Sequence, residues 1–297
     1  MAQQGAPWRV IAATVAFLLW APLALASLPL AVLLMGRGAR GGPLVGITVA
    51  VFSAATLPFL GQGQLGAVYA AVCVLLAAAF AGHVLLKAAP FWTMAVRATA
   101  TALASVAILA RVLWGPGWLG ALQWETTQQA RAGTRVLVWV MPDARPVFDA
   151  VADVVGTIAP ATLALQCLAA LALAWAVHGR LATQPLGAPL RPFREFRMGD
   201  AWVWVVVATF GVWLLGRAAL AQNLAMLVGT LYFLQGAAVA GALAGALGIS
   251  TGVLVVIGIL AAPFAAILIP GLCTLGVTDT WLQYRRRLAA RADRPHG

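Results

Sequence analysis

The chain has 297 residues, of which 63% are hydrophobic and 9% charged, whereas an ordinary soluble domain carries about 25% charged residues. So few charges cannot clothe a water-soluble globule, and a mean hydropathy of +0.94 makes lipid the solvent for most of the polypeptide. Nineteen Lys and Arg against eight Asp and Glu leave a net charge of +11, and all the basic residues except Lys87 are Arg; on so apolar a chain this bias reports membrane orientation and anionic lipid headgroups, and no nucleic acid partner is expected.

A spanning helix needs about 20 predominantly apolar residues. Eight stretches qualify: 8–35, 43–60, 65–87, 91–114, 155–178, 201–220, 223–247 and 251–276. Their run length, their Ala and Leu content and the lack of a ten-residue alternating pattern predict helices and exclude a membrane barrel. The expected fold class is all-α, a polytopic transmembrane helical bundle forming one transmembrane domain over residues 1–297. In the first stretch, Arg9 and Ala24-Leu25-Ala26 imitate a secretory signal and its cleavage site, but the apolar run continues to Met35, which predicts a retained helix.

Two stretches carry internal prolines, Pro22 and Pro29 in the first and Pro263 and Pro270 in the last, so each is a kinked span or a pair of half-helices. Charge arithmetic bears on the choice. Eight single spans, with the N-terminus inside, put eleven basic residues on the cytoplasmic side and eight outside; splitting both Pro-containing stretches puts fourteen inside and five outside. The second count is the better positive-inside signal, yet it requires half-helices of about 13 residues, roughly 20 Å long, against a hydrocarbon core of about 30 Å. The number of crossings stays open, with both termini expected in the cytoplasm.

Two connecting regions are long. Residues 115–154 mix Trp118, Trp124 and Trp139 with Arg131, Arg135 and Arg145, a composition suited to an interfacial insertion along the headgroup layer. A helix beginning near Pro146 places Asp149 and Asp153 one turn apart, which reads as a solvated acidic face before it reads as a metal site. Residues 179–200 form a basic, Pro-rich loop in which Arg191, Arg194 and Arg197 alternate with Phe193 and Phe196. Arg194 and Arg197, with Arg285, Arg286 and Arg287 of the basic cytoplasmic tail 281–297, are the expected lipid anchors, each Arg near anionic lipid contributing about 1 kcal/mol.

The chemical inventory is sparse. All eight carboxylates fall in loops or near helix ends, which argues against a proton or cation pump built on a mid-membrane acid. Cys73, Cys167 and Cys273 are widely spaced in apolar runs and read as small hydrophobes, not as a disulfide or metal set. Nucleophile-elbow, zinc-helix, Walker A and dinucleotide-binding patterns are missing, so no catalytic residue, metal or cofactor is expected, and any ATP-driven work must come from another subunit.

Polar groups inside apolar runs are the remaining candidates. Gln222 and Asn223, at the junction of two stretches, and Tyr232 and Gln235 beyond them form a polar seam whose amides must face a helix, a ligand or water. Interhelical hydrogen bonding and ligand lining both fit it. Ala237, Gly241 and Gly245 recur every four residues and make a stripe against which another helix can pack closely.

The motifs Phe193-Arg194-Glu195-Phe196-Arg197, Asn223, Tyr232-Phe233-Leu234-Gln235-Gly236 and Leu275-Gly276-x-x-Asp279, followed by Tyr284-Arg285-Arg286-Arg287, resemble the YybS-like family of bacterial membrane proteins of unknown function. The resemblance covers roughly the last hundred residues; upstream it extends to hydropathy and the Gly-rich turn at 36–42. That family is distantly similar to the substrate-capturing S components of energy-coupling-factor transporters, small helical bundles without an ATP site. The resemblance implies a multi-pass protein of the bacterial inner membrane, transporter-like and non-enzymatic, from which the insertion at 115–154 is a departure. Ligand capture by the seam is therefore the leading expectation, with other membrane subunits as partners. The alternative is a membrane scaffold or biogenesis factor acting through helix and lipid contacts.

Overall fold

In hydrocarbon a backbone amide has no water to bond, so long apolar runs close their hydrogen bonds internally as helices. A computed structural model describes residues 7–38, 42–56, 63–86, 89–184, 186–261 and 264–287. Among these it has eleven α-helices and no strand: α1 (Pro7–Arg37), α2 (Pro43–Thr56), α3 (Gly63–Leu86), α4 (Phe91–Trp114), α5 (Trp118–Val140), α6 (Arg145–Thr157), α7 (Ala159–Leu181), α8 (Val203–Leu214), α9 (Ala218–Ala246), α10 (Thr251–Leu260) and α11 (Ala265–Leu282). Helices α3, α4, α7, α9 and α11 are long and apolar enough to cross a membrane, while Ala21–Gly36, α2 and Asp200–Leu214 are shorter apolar helices. The polytopic helical bundle expected from hydropathy is the fold observed.

Contacts divide the chain into two units, Met1–Leu190 and Arg191–Gly297. In the first, α1 packs on α2, α3 and α7, and α4 packs on α3 and α7. Leu25, Leu34, Leu76, Phe80 and Leu171 fill its core. Phe80, Phe91 and Trp175 close one end of that core with ring centroids 5.6–6.2 Å apart. Residues 118–140, within the stretch expected to be an insertion, form the continuous helix α5, since no proline interrupts them, and α5 packs against α3 and α6. Glu125 of α5 accepts hydrogen bonds from the Gln64 and Leu65 amides at 3.3 and 2.7 Å, capping the otherwise orphaned first turn of α3.

The two proline-bearing stretches resolve differently. α1 runs unbroken through Pro22 and Pro29, with the Ser27 hydroxyl donating to the Ala24 carbonyl at 2.6 Å; serine bonds of this kind help satisfy carbonyls near a proline. The last stretch is divided: α10 ends at Leu260, and α11 begins at Ala265 and continues through Pro270, while Pro263 lies outside the described residues.

In the second unit, α8 and α9 form a hairpin whose turn is made by Gly216 at φ +72°, a conformation in which a side chain is strained. α9 therefore begins at Ala218, and Gln222 and Asn223 lie inside its first turns, not at a junction. α9 and α11 run parallel. Gly229 meets Cys273, Tyr232 meets Gly276 and Gln235 meets Asp279, a constant offset of 44 residues that antiparallel helices could not give. Their backbones touch: a Cβ on Gly236 would collide with the Leu272 carbonyl, and one on Gly276 with the Tyr232 carbonyl. Parallel packing sets the turn before α9 and the segment after α11 at opposite ends of this unit.

Candidate functional site

Close approach of α9 and α11 brings Gln235 onto the face of Asp279, and the two residues organise the end of the second unit. Asp279 is 2% exposed and lies in the last turn of α11. Its Oδ2 accepts from Arg285 Nη2 at 2.7 Å, and its Oδ1 accepts from the Tyr284 amide at 3.1 Å. The chain can turn back to make these bonds because Gln283 adopts a left-handed conformation, φ 49°, ending the helix. Arg285, 18% exposed, donates with its other arm to the carbonyls of Arg194 and Phe196, both at 3.0 Å. Gln235 completes the lattice. Its Oε1 accepts from the buried Met198 amide at 2.8 Å, and its Nε2 donates to the Gly276 carbonyl at 2.9 Å and, more weakly, to Asp279 Oδ2 at 3.4 Å.

Three separate segments are thereby pinned together: the strip 194–198, mid-α9 and the end of α11. Above them opens a cleft of about 600 Å³ lined by Arg191, Arg194, Glu195, Arg197, Ala242, Ala246, Asp279, Gln283, Arg285 and Arg286. Gly245 gives room for the Arg194 side chain, whose Nη1 lies 2.7 Å from where a Cβ would stand. Arg197 pairs with Asp200 at 3.2 Å, and Arg286 donates to Gln283 Oε1 at 3.1 Å. The cleft lies at the C-terminal ends of α9 and α11, where helix dipoles favour cations.

The sequence-derived candidates scatter over this unit. Tyr232 and Gln235 are buried at the α9–α11 contact. Gln222 is exposed, and the Asn223 amide donates to the Ala219 carbonyl of its own helix at 2.8 Å. Twelve residues separate Asn223 from Gln235, about 18 Å of helix, so the four do not line one site. The α9 glycines that touch α11 are Gly236, against the Leu272 carbonyl, and Gly229, whose carbonyl accepts from Cys273 Sγ; Ala237 is half-buried, and Gly241 and Gly245 face the Arg194 side chain. Among the basic residues expected at headgroups, Arg194, Arg197, Arg285 and Arg286 share the cleft, and Arg287 is exposed. Residues 288–297 of the basic tail lie outside the described residues.

Sequence reasoning missed Asp279 as a buried group, because its place near a helix end resembles that of any solvated acid. The usable signal was its spacing: three residues after Gly276, one turn along the same face, with an arginine soon after the helix stops. In the first unit Asp149 and Asp153 both face Arg131, at 3.8 and 2.8 Å, and Asp149 also faces Arg145 at 3.7 Å. Among the described residues no group of three His, Cys, Asp or Glu could hold a metal ion.

Residues 142–280, just under half of the chain, match the family described as "Predicted membrane protein (DUF2232)". The match runs from the turn before α6 to the last turn of α11, so it takes in Gln235, Gly276 and Asp279 and stops before Arg285. It supports a membrane protein of an uncharacterised family. No curated protein and no solved structure matched the chain.

Proposed function

We propose that this is a non-enzymatic, multi-pass protein of the bacterial inner membrane that captures a small ligand at the arginine-lined cleft of its second unit, in the manner of a transporter's substrate-binding subunit. One observation carries the reading: a cleft of about 600 Å³ whose wall is braced by a buried, hydrogen-bonded Gln235–Asp279–Arg285 lattice. Ligand sites are concave, with a few polar groups held in fixed positions, and this cleft meets both conditions. The resemblance to YybS-like proteins, and through them to S components, favours capture over catalysis. The ligand site moves accordingly from the seam along α9 to its C-terminal end, with Gln235 as a brace behind it.

The same geometry favours an orientation. Arg191, Arg194, Arg197, Arg285 and Arg286 meet at one end of the unit and Arg217 lies at the other, so the positive-inside rule sets the cleft toward the cytoplasm. Reporters inserted at Gly216 and after Gly297 are expected on opposite faces; reporters on the same face would refute the arrangement.

Ligand capture is tested on full-length protein in neutral detergent, screened by thermal unfolding against vitamins, nucleobases, phosphorylated metabolites and amphiphiles. At least one is expected to raise the Tm, and Ala242→Trp, which fills the cleft, is expected to erase that shift while leaving the unliganded Tm near wild type. No stabilising compound, or a shift indifferent to Ala242→Trp, defeats the proposal. Purification in complex with membrane subunits that include no ATPase, in the absence of any ligand, would instead support the scaffold reading.

A further inference from the structure

Five arginines from two segments of the chain converge on the cleft, and their charges are unequally matched. Asp279 is spent on Arg285, and Asp200 answers Arg197. Arg286 bonds the neutral amide of Gln283. Arg191 has no ion-pair partner among the described residues. Glu195 is the remaining lining carboxylate, so five arginines at the cleft face three carboxylates, Asp279, Asp200 and Glu195. The C-terminal dipoles of α9 and α11 account for cations at this end of the bundle, since each favours positive charge within its last turn. They do not account for a concavity. Side chains that snorkel to headgroups need only a surface, whereas here Ala242 and Ala246 line a hollow and Gly245 makes room for Arg194 beside it. Guanidinium groups facing one hollow repel one another, and a multivalent anion relieves that repulsion. Planar guanidinium forks match phosphate oxygens two at a time, with stronger and more directional bonds than neutral donors make.

We propose that the cleft binds a phosphate group, contacted by Arg191, Arg194 and Arg286, with Arg285 as a positioning residue that Asp279 and two backbone carbonyls hold in place. This rests on the ligand-capture reading and names the chemistry of the ligand. A phosphate on a soluble metabolite and the phosphodiester of a lipid headgroup share that chemistry, so the test must separate them.

Full-length protein in neutral detergent is titrated calorimetrically with inorganic phosphate and with glycerol 3-phosphate. In parallel, protein in phosphatidylcholine nanodiscs with and without phosphatidylglycerol is released and its retained lipid is identified by native mass spectrometry. Saturable binding of a soluble phosphate identifies a solute site, and selective retention of phosphatidylglycerol identifies a headgroup site; either supports the proposal. Arg191→Gln/Arg194→Gln is expected to weaken the bound probe about tenfold or more. Glu195→Gln, which removes the opposing charge, is expected to tighten it about twofold to fivefold. That gain is a change no merely structural role would produce, and it survives if the double variant fails to fold. Failure of both phosphate probes and of lipid retention overturns the proposal, as does affinity unmoved by both variants. Should a neutral ligand still bind in a manner blocked by Ala242→Trp, ligand capture stands and the phosphate assignment alone falls.

Discussion

The two units solve the same problem, folding in a solvent as apolar as their own side chains, by different means. The first buries Leu25, Leu34, Leu76, Phe80 and Leu171 around α1, α3, α4 and α7, with aromatic edges packed on Trp175. The second buries Tyr232, Gln235 and Asp279, and it joins α9 to α11 through glycine backbones. Lipid tails are as apolar as leucine, so removing an apolar side chain from lipid gains little beyond dispersion and shape fit. The first unit is held by such fit, which tolerates rearrangement of similar volumes. The second is held by directed bonds between fixed atoms, which specify one arrangement and lend it to the rim of a cleft.

The sharpest way to break this contrast is to remove the charge that balances Asp279. Arg285→Ala leaves a carboxylate that is 2% exposed without its partner, and losing one member of a buried pair costs about 3–5 kcal/mol. Asp279→Asn should cost less, about 1–3 kcal/mol, because Arg285 lies nearer the mouth and can turn to water. Unfolding of purified protein in a mild denaturing detergent, followed by circular dichroism, measures both. Equal losses for the two variants, or a negligible loss for Arg285→Ala, would show that the lattice is not what holds this unit.

A smaller effect is expected at the helix contact. Gly276→Ala sets a methyl group against the Tyr232 carbonyl of α9, and because the obstacle is backbone the helices must separate, at about 1–3 kcal/mol. Gly245→Ala meets only the end of the Arg194 side chain and should be nearly neutral in the same assay. That difference also marks what the sequence could disclose. Uninterrupted apolar runs made α3, α4 and α7 legible, since length and hydropathy are local properties. A small-residue stripe was legible too, but a glycine-rich helix offers several adjacent stripes, and periodicity names the residues on a face without naming the face that meets a neighbour. Gly236, one position from Ala237, is in contact. Gln235 was visible as a buried amide that needs partners. Met198 and Gly276 supply them as backbone groups, and backbone groups leave no compositional trace. α5 was illegible as a packed helix because its Gln, Thr and Arg content lowers its hydropathy to that of a surface segment.

The least effect should come from one neutral interhelical hydrogen bond of the first unit. Tyr69 of α3 donates from its hydroxyl to Gln166 Oε1 of α7 at 3.1 Å. Bonds of this kind between membrane helices average about 0.6 kcal/mol, because the separated helices find other partners. Tyr69→Phe keeps the ring and its packing, so the predicted loss is about that size, below what Gly276→Ala costs and far below Arg285→Ala. A loss from Tyr69→Phe as large as that from Arg285→Ala would mean that directed bonds govern both units alike. A loss near zero, alongside a large one from Arg285→Ala, locates the specificity of this protein in the end of the bundle that carries the cleft.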